Sequence, residues 1–157
     1  MSETVKFEDI LTRYGKLIYP NKGVSMKPLL RQGRDLMVIE RKGPEPCKKY
    51  DAVLFRRPSV RGPDDYVLHR ILRINDDGSY WIVGDNCFTG DIVREDQILG
   101  TLSAVVRDGK KTVPVTSPAY RAYVALWCDF YPLRFALIRL KRFGGRCLRK
   151  LRKGGSR

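Results

Sequence analysis

Ser25, His69, Asp85 and Asp91 are the residues of this chain whose types suit acyl transfer. Ser25 lies in KGVSMKPLLRQG, residues 22–33, after Gly23-Val24 and before Met26-Lys27-Pro28. A serine hydroxyl is a poor nucleophile until a base within hydrogen-bond reach takes its proton. Lysine can be that base when burial lowers its pKa, but residues 51–109 contain no lysine. The other cations of that stretch are arginines, which stay protonated. His69, in YVLHRILRI, is the single histidine of the chain and titrates near neutral pH. Alone in a strand it would read as structural; beside such a serine it is the candidate base. A third group commonly orients the imidazole and steadies its charged form, and GDNCFTGD, residues 84–91, offers Asp85 and Asp91. Gly84-Asp85-Asn86 by itself would be a tight turn whose Asp bonds its own backbone. Cys87 paired with His69 is a chemical outsider that thiol-selective inhibition would expose.

These residues need elements to hold them. Phe7, Ile10, Leu11, Tyr14, Leu17 and Ile18 recur at helical spacing and Pro20 closes the segment, which predicts an N-terminal amphipathic helix within residues 1–20. Short β-type runs follow at 36–39, 52–55, 66–74, 80–83, 98–106 and 112–115. Turn signals such as Gly43-Pro44, Gly62-Pro63, Asp77-Gly78 and Asp108-Gly109 separate them. Strands without alternating helices predict a mainly β domain over 21–117, a small antiparallel sheet or partly open barrel.

The charge is unevenly placed. The 157 residues carry a net charge of +14, of which residues 118–157 hold +10, with eleven Lys or Arg against Asp129 alone. That segment is expected to be a basic, amphipathic helical tail, with Tyr120, Tyr123, Trp127 and Tyr131 as an aromatic stripe. Such a segment suits peripheral contact with an anionic membrane surface. A helix docked on the domain with a solvated basic face ranks next, and nucleic acid is not expected, since no motif supports it beyond charge. The four cysteines form no CxxC pair, so a reduced chain without structural zinc is expected. The charged start of the sequence offers no apolar stretch of the kind a signal peptide needs, so none is expected, and the longest apolar run is seven residues, Ala122 to Cys128. A span needs roughly 20. The expected location is the cytoplasm or the inner face of the membrane.

Four stretches together resemble type I signal peptidases. GVSMKPLL looks like their nucleophile box, YDAVLF like the next strand, VLHRI like the box carrying the general base, and GDNCFTGD like the closing box. Histidine in place of lysine is similar to the endoplasmic reticulum, archaeal and sporulation-type branch. The resemblance covers residues 23–102 and implies the signal peptidase and LexA-like fold. It implies a serine endopeptidase cleaving a peptide, such as a leader or signal peptide, without cofactor or metal. Ser25 would be the nucleophile, His69 the base and then acid, and Asp91, ahead of Asp85, the orienting carboxylate. Gly23, Met26 and Pro28 would shape the substrate loop, with Met26 and Pro28 packed under the serine, and backbone donors at Ser25 would hold the oxyanion. A charged segment stands where the family carries a membrane anchor, and Gly33-Arg34-Asp35 replaces its usual Gly-Asp. The alternatives are a self-cleaving regulatory protease and a non-catalytic module binding peptides or membrane surfaces.

Overall fold

A computed structural model of the protein describes residues 6–59 and 62–130, together with 136, 139 and 140. The chain opens with helix α1, Phe7–Tyr14, whose Leu11 is buried. The helix is shorter than its hydrophobic spacing predicts. Gly15 takes the left-handed conformation at φ 68°, and its N–H bonds the Leu11 carbonyl at 2.9 Å, a cap that ends helices because glycine carries no Cβ to strain. Residues Lys16–Pro20 then form strand β1. Leu17 is buried and Ile18 is 57% exposed, so the period has changed from 3.6 to 2 and the expectation of one helix across 6–19 is corrected.

Seven further strands are described: β2 Asp35–Arg41, β3 Ala52–Arg57, β4 Asp65–Ile74, β5 Tyr80–Val83, β6 Gly90–Val93, β7 Ile98–Arg107 and β8 Lys111–Pro114. They make one antiparallel sheet in the order β1-β2-β7-β3-β4-β5-β6, with β8 beside β7. Among the described residues the terminal strands β1 and β6 do not pair with each other, so the sheet is open. The mainly β architecture follows the sequence pattern, although β1 and the four-residue β6 were not legible as strands.

Strand β7 is the hub. One edge runs along β2 over 100–107, while the other meets β3 over 98–101 and β8 over 104–107. β3 explains why both of its faces are apolar. Ala52 and Leu54 join a cluster with Leu11, Met26 and Leu102, whereas Val53 and Phe55 join another with Ile71 and Ile82. A strand covered on both sides loses the alternation that marks a half-exposed one.

The loop between β1 and β2, residues 21–34, is tied at its far end by Asp35, which is 1% exposed. Its carboxylate accepts from the Arg31 N–H at 2.8 Å, from Arg34 Nε at 2.7 Å and from Arg107 at 2.7 Å. Burial pushes its pKa upward, but these donors and charges outweigh it and hold the carboxyl below its ordinary value. Arg107 also donates to the Leu29 carbonyl, which fastens the loop to β7.

After β8, helix α2, Pro118–Val124, starts at Ser117, whose hydroxyl accepts from the Tyr120 N–H at 3.3 Å. It continues as a wider π-type turn over Ala125–Asp129. Tyr120 and Cys128 are buried, so residues 118–129 are docked on the sheet, where an appended tail was expected. Tyr131 and nearly all of the basic segment beyond it lie outside the described residues. Among the described residues no helix is long and apolar enough to cross a membrane.

Candidate active site

Ser25 sits in the 21–34 loop just after Gly23, whose φ of 84° favours glycine. The loop is anchored from below. Met26 is 1% exposed, and Leu29 and Leu30 are buried with it. Met26 therefore lies in the core beneath the serine, which removes it from contact with a substrate. Pro28 is exposed and lines a cavity of about 230 Å³ with Leu29, Val105, Tyr120 and Tyr123, so it borders a cavity beside the loop, where packing under the serine was expected. Short turns, Lys27 N–H to Val24 O at 3.2 Å and Leu30 N–H to Met26 O at 2.9 Å, hold the half-buried Ser25 at the surface.

His69 lies on β4 opposite Val53 and is 7% exposed. Its position relative to Ser25 is fixed by Gly84. A Cβ at Gly84 would stand 2.8 Å from the Ser25 carbonyl oxygen, 2.9 Å from His69 Nε2 and 2.8 Å from Cys87 Sγ. No side chain fits there, and the serine loop and the imidazole approach each other because residue 84 is glycine. The next two residues complete the grip. The Asn86 N–H donates to the Ser25 carbonyl at 2.6 Å, and Asn86 Nδ2 donates to the Val24 carbonyl at 3.1 Å. The turn itself is closed by the Cys87 N–H on the Gly84 carbonyl at 2.9 Å.

The opposite ring nitrogen, His69 Nδ1, is buried and makes no hydrogen bond among the described residues. It faces Asp91 Oδ2 at 3.8 Å. That separation permits an ion pair when the ring is protonated but is too long for a hydrogen bond. Asp91 lies on β6 opposite Ile82, and Arg57 approaches the same oxygen at 3.9 Å. Burial lowers the His69 pKa below its ordinary value; Asp91 opposes this, Arg57 adds to it and Asp85 opposes it more weakly. The ring is thus neutral at neutral pH, with a lone pair available to take a proton.

Asp85 is differently employed. Its carboxylate is fully buried against Arg70, which is also fully buried, in a two-pronged pair with Nε to Oδ1 at 2.9 Å and Nη2 to Oδ2 at 2.8 Å. The remaining Arg70 Nη1 donates to the Tyr50 carbonyl at 2.9 Å and to Tyr120 Oη at 3.1 Å. Tyr123 Oη donates to Asp85 Oδ2 at 2.8 Å, and Trp127 Nε1 donates to the Asp85 carbonyl at 2.8 Å. Of the two candidate aspartates, Asp91 therefore faces the imidazole and Asp85 supports the turn.

Several participants were not singled out from the sequence. Gly84 and Asn86 lie inside a motif whose aspartates are its apparent chemistry, and Arg70 reads in the sequence as one of the arginines that cannot be a base. Tyr120, Tyr123 and Trp127 had been assigned to a tail, although their spacing is that of one inward helical face. Among the described residues no group of three or more His, Cys, Asp or Glu gathers as a metal site would require. No protein-family model, curated protein or solved structure matches the chain.

Proposed function

We propose that the protein is a serine endopeptidase that cleaves a peptide substrate with Ser25, His69 and Asp91. The observation that carries this reading is the convergence on Gly84. The Ser25 backbone and His69 Nε2 meet across a position with no room for a methyl group, and Nδ1 of the same ring faces a carboxylate. Ser25 Oγ attacks the scissile carbonyl as its proton passes to Nε2, and the imidazolium so formed is balanced by Asp91. Collapse of the tetrahedral intermediate breaks the C–N bond, with the proton delivered from His69 to the leaving amine. Water then attacks the acyl-serine, its proton taken by His69 and returned to Ser25 as the acid product leaves. Backbone donors beside Ser25 stabilise the oxyanion. The four family-like boxes support signal peptidase-type chemistry on a leader or signal peptide. The basic segment 118–157 supports action in the cytoplasm, against the inner membrane face.

The test is cleavage of an unbiased peptide library by the purified protein, with products read by mass spectrometry. Cleavage by the wild type, lost in both Ser25→Ala and His69→Ala, is the expected result. No cleavage by the wild type, with or without anionic lipid vesicles, would move the assignment to a non-catalytic peptide- or membrane-binding module.

A further inference from the structure

The turn that brings Ser25 and His69 together is gripped from two sides, and the second grip comes from the far end of the chain. Gly84 and Asn86 face the serine loop. Asp85, between them, faces α2 and the turn after it through its carboxylate and its carbonyl. Tyr123 and Trp127 stack on each other with ring centroids 6.0 Å apart and planes 17° apart. Cys128 packs with Leu72 and Val83, so the segment is wedged against the strands that bear the turn. Three consecutive residues thus divide their contacts between catalytic loop and C-terminal segment, and a shift of Asp85 must be felt at Gly84 and Asn86.

We propose that Tyr123 and Trp127 are positioning residues of the site, acting through Asp85 to hold the Gly84–Asn86 turn against the Ser25 loop and His69. The proposal rests on the peptidase reading for its catalytic consequence but not for its structural one. Each side chain makes a hydrogen bond to Asp85 that a phenylalanine cannot make, Tyr123 to the carboxylate and Trp127 to the carbonyl. Loss of either bond frees the turn on one side while leaving the Arg70 pair intact.

Tyr123→Phe and Trp127→Phe decide it with two readings. The first needs no substrate. His69 is the single histidine of the chain, so its ring proton gives one NMR titration curve. That ring faces Asp91 and also feels the charges of Arg57 and, more weakly, Asp85. Freeing the turn admits water to the ring, so the midpoint is expected to rise toward that of an ordinary histidine. Amide exchange at Asn86 is expected to quicken by about tenfold, the factor that one lost buried hydrogen bond supplies. The second reading is catalytic. The rate constant kcat is expected to fall by about tenfold with KM held within twofold, the pattern of a misaligned rather than an unbound substrate. Unchanged titration, exchange and kcat in both variants, with melting temperatures near wild type, would overturn the proposal. If Trp127→Phe does not fold, Tyr123→Phe, which removes one oxygen atom, carries the decision. If the wild type cleaves nothing, the peptidase reading fails while the titration and exchange still judge the buttress.

Discussion

Asp85 and Asp91 share a motif and differ in burial, and that difference sets what a mutation at each should do. Asp91→Asn keeps the fold and withdraws the charge facing His69 Nδ1, so kcat should drop by about 10²-fold or more, read in peptide cleavage. Asp85→Asn strands a fully buried guanidinium. It should cost about 3–5 kcal/mol in urea unfolding, the penalty for removing one member of a buried pair. Arg57 gives a signed test. Its charge helps keep the His69 pKa low, so Arg57→Gln should raise that pKa and move the acid limb of the activity profile to higher pH. Asp91→Asn should move it the other way. Cys87 can be judged by alkylation. Its Sγ stands at the Gly84 crossing, so a thiol reagent should block cleavage in the wild type and spare Cys87→Ser. Inactivity of Cys87→Ser itself would make sulfur the nucleophile. The residue types were legible in the sequence, because a lone histidine and a lysine-free stretch left few choices for a base. The separation of the two aspartates was not, because only the fold puts Arg70 across from one and His69 across from the other.

Turns and caps decide which elements form. The apolar spacing of 6–19 fits a helix, yet Gly15 stops it and hands Leu17 to a strand whose partner, β2, lies beyond the serine loop. Local periodicity cannot report that pairing, and so β1 was hidden; β6, GDIV, begins on the Gly-Asp of the turn motif and shows only Ile92 and Val93 as a strand signal. Gly15→Ala should therefore cost about 1–2 kcal/mol by placing a Cβ at positive φ. Gly84→Ala should be more specific. With two of its three close neighbours in the proposed site, a methyl there should push the Ser25 loop from His69, destabilise by about 1–3 kcal/mol and abolish cleavage. A folded Gly84→Ala with wild-type kcat would contradict the site geometry. The aromatic stripe shows the same limit from another side: its spacing was visible, but whether it faced a sheet or a membrane depended on Asp85, more than thirty residues away.

At the scale of the molecule, His69 links acidity to stability. Its folded pKa lies below the value of about 6.5 expected in the unfolded chain. Above that value the ring is neutral in both states; as pH falls from there toward the folded pKa, the unfolded state binds the proton first and stability drops. Urea midpoints measured between pH 7 and 5 should show this loss, and His69→Gln should remove that component. The sheet order adds a constraint of another kind. β7 stands between β2 and β3, so the strands that flank the Ser25 loop join the strand that carries His69 in the sheet only through residues 98–107. β3 to β6 can form as a local meander and β2 can pair with the nearby β1, whereas the other edge of β2 must wait for β7, more than fifty residues later in the chain. Such distant pairing slows folding. Synthesis must therefore pass residue 107 before Ser25 and His69, the proposed nucleophile and base, become neighbours, and a shorter nascent chain holds the two residues apart.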